Sequence, residues 1–210
     1  MFSEAPAFLF DLDGTLVHSE LSIKESWDRF ANENNFSPPA LSEIHGIPAI
    51  DTIKKFIPGL SEDLLIKYAK RMEELEIETA NMVHPIKGAL ELLNYLDNNN
   101  IPWNIVTSGT LPLASARLKA IGLNLPSSSI TFEMVKKGKP DPEPFIKGSE
   151  RLSLLPQMCW AVEDSISGLR SAREAGCKTI AILTHYEKDQ LPNADLYVED
   201  LSEVLNFFTT

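Results

Sequence analysis

Short apolar runs recur along this chain, and stretches with helical periodicity fill the gaps between them. The runs occupy residues 7–10, 103–107, 129–132, 158–162, 178–182 and 196–198, the third being the weakest. Such alternation is the signature of a parallel sheet with helices on its faces, joined by right-handed crossovers. The helical stretches have readable faces and ends. Residues 86–96 place Ala89, Leu92, Leu93 and Leu96 on one face. Residues 112–121 open on Pro112, where a missing N–H does no harm. Residues 143–152 follow a proline-rich lead-in, and 165–175 stop at Gly176, a C-cap residue. The expected fold class is α/β, with a Rossmann-like parallel-sheet core.

One region breaks the alternation. From Leu16 to Pro85 the pattern is helical throughout, with helices expected at 19–33, 39–45, 49–56 and 61–79. Leu64, Leu65, Tyr68 and Met72 form an apolar stripe on the last of these, and Pro58-Gly59 breaks the helix before it. Residues 17–85 therefore read as an inserted all-helical domain, and 1–16 with 86–210 as the α/β core. Trp27 and Phe30 are expected in the core of the insert and Trp160 in a central strand.

Composition narrows the function classes. The 210 residues carry a formal net charge of -11, and 43% of them are hydrophobic. That is enough apolar material for a real core. The negative field argues against a nucleic-acid partner. No apolar run approaches the roughly 20 residues of a membrane helix. The first six residues lack the charged and apolar regions of a signal peptide. Two cysteines, Cys159 and Cys177, make neither a zinc cluster nor a disulfide scaffold and read as packed thiols. A cytoplasmic protein, monomeric by default, is expected.

The chemistry starts where the first apolar run ends. Asp11-Leu12-Asp13-Gly14-Thr15 follows it directly, at the sheet edge where α/β folds bind ligands. Asp11 and Asp13 are two apart, so a nearly extended segment can turn both toward one site. Close carboxylates repel unless a cation or a shared proton intervenes. Magnesium is the simplest cation, because it prefers hard oxygen ligands. Gly14 permits a tight turn. An ordinary solvated Asx-type turn is the alternative reading of the pair alone.

Four runs together narrow the choice. They are 10–16 (Phe-Asp-Leu-Asp-Gly-Thr-Leu), 105–109 (Ile-Val-Thr-Ser-Gly), 138–142 (Gly-Lys-Pro-Asp-Pro) and 162–165 (Val-Glu-Asp-Ser). In this order the chain resembles the haloacid dehalogenase-like phosphohydrolase superfamily over essentially its whole length. The resemblance implies a role for each match. Asp11 would be the nucleophile that accepts phosphoryl. Asp13 would protonate the leaving alcohol and then activate water. Asp11, Asp164 and the backbone carbonyl of Asp13 would hold Mg2+, with Glu163 in an indirect role. Ser108 would bind a phosphoryl oxygen, helped by backbone N–H groups near Leu12 and Gly109. Lys139 would neutralise the nucleophile and the phosphoryl group. These roles suit phosphoryl transfer, which needs a temporary carrier and concentrated positive charge.

The insert resembles the helical cap of one branch of that superfamily. Such a cap closes over the substrate and excludes bulk water. His18, Glu20, His45 and Gly46 are its candidate substrate contacts. Position 18 is often an acid in the family, whereas here it is histidine. Phosphoglucomutase-like members commonly carry an arginine just after the cap glycine, whereas here Ile47, Pro48 and Ala49 follow Gly46. The resemblance is therefore nearest to phosphatases of small sugar and polyol phosphates. It implies a magnesium-dependent phosphatase whose partner is a small phosphorylated metabolite. The alternatives are a β-phosphoglucomutase-like hexose-phosphate mutase and a non-catalytic binding protein on the same scaffold.

Overall fold

A computed structural model describes residues 7–44 and 47–209. In chain order its elements are β1 (Ala7–Phe10), β2 (Val17–His18), α1 (Glu20–Asn34), α2 (Leu41–Ile44), α3 (Ala49–Phe56), α4 (Glu62–Glu78), β3 (His84–Pro85), α5 (Ala89–Asn98), β4 (Trp103–Ile105), α6 (Leu111–Ala120), α7 (Glu143–Arg151), β5 (Cys159–Glu163), α8 (Ile166–Ala175), β6 (Lys178–Ile182), β7 (Leu196–Val198) and α9 (Leu201–Thr209). The main sheet is parallel throughout, in the order β4-β1-β5-β6-β7. The first strand in sequence is therefore central, with β4 on one side and β5 on the other.

Alternation along β1 explains why it is apolar at every position. Phe8 and Phe10 point into one layer, with Leu92, Leu96, Ile105 and Leu118. Ala7 and Leu9 point into the other, with Phe145, Ala161 and Ala172. A strand buried on both faces must be apolar on both. Each fully buried phenylalanine contributes roughly 1.5–3 kcal/mol of transfer free energy.

The helical insert has its own core. Trp27, Phe30, Ile53, Leu65, Met72 and Leu75 pack together, with Tyr68 set edge-on to Phe30 at 5.4 Å. Thr79 at the end of α4 holds α1 through the hydroxyls of Ser22 and Ser26, both at 2.8 Å. The chain leaves and re-enters the sheet domain side by side. There β2 pairs antiparallel with β3, with Val17 opposite Pro85 and His18 opposite His84. A parallel sheet with an inserted helical cap is thus the observed architecture.

Several elements differ from their sequence expectation. The run 129–132 is no strand. It makes one bridge, Val106 to Ile130, before Phe132 N–H turns back to the carbonyl of Gly109. The helix expected from 86 starts at Ala89, because Gly88 takes a positive φ of 82° ahead of it. Gly88 also lets α9 approach, since a Cβ there would lie 2.1 Å from the Ser202 nitrogen. Helix α9 itself was not expected, although Leu201 and Val204 are spaced for one buried face. Helix α8 follows its signals: Ser165 Oγ caps Gly168 N–H at 3.0 Å, and Gly176 closes it at φ 93°. His45 and Gly46 lie outside the described residues.

Candidate active site

Strand register brings the motifs together. Phe10 lies beside Ile105 on β4 and beside Val162 on β5. The residues at or shortly after the strand ends, Asp11, Thr107-Ser108 and Glu163-Asp164, therefore meet at one sheet edge. Lys139 reaches the same place from the loop before α7. Its ammonium donates to Asp11 Oδ1 at 2.6 Å, Glu163 Oε1 at 2.6 Å and the Val106 carbonyl at 2.8 Å. Those three acceptors use all three of its protons. The side chain is 3% exposed.

Glu163 is fully engaged. Oε1 takes the lysine, and Oε2 accepts from the backbone N–H groups of Asp164 and Ser165 and from the Ser165 hydroxyl. Its side chain thus braces Lys139 and the start of α8. Asp164 has a different environment. Thr15 donates to its Oδ1 at 3.4 Å, and His185 contacts Oδ2 at 2.7 Å. Gly14, at φ 85°, passes so close that a Cβ would lie 1.9 Å from Asp164 Oδ2. Only glycine fits this turn between the two carboxylates.

The site favours a cation. Carboxylate oxygens of Asp11, Glu163 and Asp164 lie within 4.8 Å of one another, all buried. Burial pushes the Asp11 carboxyl well above its usual range. Lys139 opposes that shift, but Glu163, Asp164 and Asp13 add to it. Lys139 is the one side-chain cation on Asp11 and Glu163 among the described residues, and a divalent cation would relieve the repulsion that remains in the cluster. Burial alone would depress the Lys139 ammonium, yet Asp11 and Glu163 raise it above its ordinary value. It is a fixed positive charge.

A cavity of about 240 Å3 opens above these groups. Core residues Asp11, Asp13, Ser108, Gly109, Lys139 and Asp164 line its floor. Its cap side is mostly apolar, with Ile23, Trp27, Leu41, Ile44 and Pro48, and carries Glu20, Thr52 and Glu76 as its polar groups. Among the cap residues singled out in the sequence, Glu20 lines this cavity. His18 does not line it. Its imidazole is about half exposed beside Glu20, 3.5 Å from Oε1. Leu12 is buried, and its carbonyl accepts the N–H groups of Leu16 and Val17. The Gly109 N–H donates to Thr107 Oγ1 at 3.0 Å.

Three cations line the cavity, and each sits on two carboxylates. Lys139 bridges Asp11 and Glu163. His185 bridges Asp164 and Glu20, at 2.7 and 2.8 Å. Arg117 bridges Asp13 and Glu76. Neither His185, Arg117 nor Glu76 stood out in the sequence. Burial depresses His185, but its hydrogen bonds to Asp164 and Glu20 prevail and raise it to about 9. That hydrogen bond lowers Glu20 to about 2 against the opposing effect of burial. The last two bridges join core to cap, because Glu20 belongs to α1 and Glu76 to α4. The two cysteine thiols lie elsewhere and are pushed up by burial, Cys159 to about 11 and Cys177 to about 12. Neither is a ready nucleophile at neutral pH.

Comparison with known proteins agrees with this geometry. The haloacid dehalogenase-like hydrolase family profile matches residues 8–182. Hexitol phosphatase A of Escherichia coli (strain K12) is 38% identical over 94% of this chain and 92% of its own length. Glycerol-1-phosphate phosphohydrolase 2 of Saccharomyces cerevisiae is 32% identical over 88% of this chain and 77% of its own. Among solved structures, a family IA hydrolase from Entamoeba histolytica superposes with a TM-score of 0.84 at 25% identity, covering 94% of each chain. The chain belongs to the haloacid dehalogenase-like hydrolases.

Proposed function

We propose that the chain is a magnesium-dependent phosphatase acting on a small sugar or polyol monophosphate, through a phosphoryl group carried on Asp11. The observation that carries this reading is the placement of Asp11. It is held by Lys139, flanked by Asp164 and Asp13, and faces a small cavity roofed by the cap. We take residues 17–85 as that cap. Relatives whose names specify hexitol and glycerol phosphates support the substrate class.

The residues divide the work as follows. An Asp11 carboxylate oxygen attacks phosphorus, and the bond from phosphorus to the alcohol oxygen breaks. Asp13 gives its proton to that oxygen, so the alcohol leaves neutral. A water then attacks the phosphoryl group on Asp11, and Asp13 takes the water's proton. The Asp11–phosphorus bond breaks and free phosphate leaves. Ser108 lines the cavity on the β4 side, and we assign its hydroxyl to a phosphoryl oxygen. Lys139 balances the negative charge on Asp11 and the incoming phosphate. Asp11, Asp164 and the Asp13 carbonyl are the ligands we assign to magnesium. When bound, the metal would supply positive charge to the transferring phosphoryl group.

A mutase must hold a second phosphate. The cationic side chains lining the cavity among the described residues are Lys139, Arg117 and His185, and each is already shared by two acids. Apart from Glu20, Thr52 and Glu76, the described cap residues lining the cavity are apolar. This favours one phosphate and a largely uncharged remainder.

Product analysis tests the proposal. A panel of hexitol, glycerol and hexose monophosphates is incubated with and without magnesium. Free phosphate is expected, dependent on magnesium, with no isomeric sugar phosphate. An isomer formed without phosphate release would instead establish the mutase.

A further inference from the structure

The buried link between Asp13 and the cap has no place in the reaction as set out above. Arg117 lies on α6 and is 3% exposed. One terminal nitrogen donates to Asp13 Oδ2, and the other donates to Glu76 Oε1 at 3.0 Å. Glu76 comes from α4 of the cap and is itself 8% exposed. A second contact pins the same two helices together, since Thr110 Oγ1 donates to Glu73 of α4. The remaining carboxylate oxygen, Asp13 Oδ1, is buried with no hydrogen-bond partner among the described residues. All three residues line the active-site cavity.

This arrangement divides the Asp13 carboxylate into a held half and a working half. A planar guanidinium fixes the orientation of a carboxylate more tightly than an ammonium does. With Oδ2 fastened, the side chain cannot rotate freely, and Oδ1 keeps its aim. The fastening depends on the cap. Glu76 holds the second arm of Arg117 only while α4 rests on α6. A cap displaced from α6 would leave a buried arginine with one of its two acids and without the orientation both give it.

We infer that Arg117 is a positioning residue for Asp13, and that Glu76 makes this positioning conditional on closure of the cap. The leaving group would then meet an aligned proton donor only in the closed enzyme, when bulk water is excluded. The inference rests on the phosphatase reading and adds a residue pair to it.

Leaving-group dependence tests the inference. An alkyl phosphate expels a poor alkoxide and needs the proton. p-Nitrophenyl phosphate expels a stable anion and hardly does. The ratio kcat/KM covers events up to the first irreversible step, so the later role of Asp13 as base does not enter it. Wild type, Arg117→Lys, Glu76→Gln and Asp13→Asn are compared on a small polyol phosphate and on p-nitrophenyl phosphate. Thermal unfolding checks each fold, and Glu76→Gln is the milder variant should Arg117→Lys fold poorly.

Arg117→Lys and Glu76→Gln are each expected to lose on the order of 10- to 100-fold on the polyol ester, within the range of general-acid catalysis. Less than about threefold should be lost on the aryl ester, with Asp13→Asn showing the same split in stronger form. Equal losses on both esters would mean that Arg117 only holds the fold together, and no loss would mean that Asp13 needs no guide. Either result overturns the inference and leaves the phosphatase reading standing. Turnover of both esters that survives Asp11→Asn would overturn that reading, and the inference with it.

Discussion

Asp11→Asn is expected to reduce magnesium-dependent phosphate release by roughly 10^4-fold or more, while the protein stays folded. The loss follows from chemistry. An amide oxygen is a poor nucleophile, and it would leave any phosphoryl adduct without the path that an aspartyl phosphate offers. The retained fold follows from electrostatics. Asp11 is crowded by Glu163, Asp164 and Asp13, and burial and these neighbours push its carboxyl upward despite Lys139. Removing its charge relieves that crowding, and Lys139 keeps Glu163 and the Val106 carbonyl as partners. The unfolding midpoint of the metal-free variant should therefore match or exceed that of wild type. Near-normal turnover would remove Asp11 from the nucleophile's role. A collapsed midpoint would show that its charge supports the fold.

Lys139→Ala should have the opposite signature, losing stability and activity together. Among the described residues the lysine is the only side-chain cation on Asp11 and Glu163. Its removal strands two buried carboxylates, a change of the kind that costs about 3–5 kcal/mol. Urea denaturation of the metal-free protein would measure that loss. Added magnesium should recover part of it, because a cation at Asp11 and Asp164 restores positive charge to the same cluster. Turnover should remain severely reduced even where folding recovers, since the proposed mechanism also uses Lys139 to balance the transferring phosphoryl group. A variant as stable as wild type without metal would mean that the carboxylates are better solvated than their burial indicates.

The core of this site was legible because each motif is local in sequence and three of the four lie at a strand end. Asp11, Ser108 and Asp164 each follow an apolar run, and strand register does the rest. Lys139 was marked by its glycine and proline neighbours. The cap links were harder, because their partners are distant: Arg117 lies 104 residues from Asp13 and 41 from Glu76. A signal existed all the same. Arg117 shares the buried face of α6 with Leu113, Ala114 and Leu118, and Glu76 shares that of α4 with Met72 and Leu75. A charged residue at an apolar helical position demands a partner. His185 lacked even that mark, since it sits in a loop whose course no periodicity sets. The run 129–132 misled in the other direction. Ser129, Ile130 and Thr131 are buried beside the end of β4, but one bridge is all the chain forms before it turns. Burial, which the pattern does encode, was right there, and strand geometry was not.

The central claim is that phosphate passes through Asp11, and the most direct test is to trap it there. Wild-type enzyme turning over a small polyol phosphate with magnesium is quenched in acid, digested and weighed by mass spectrometry. The account predicts a phosphoryl adduct on Asp11, lost as substrate is exhausted and absent from Asp11→Asn. Steady phosphate release with Asp11 unmodified at every time point, or with the adduct on another residue, would contradict it.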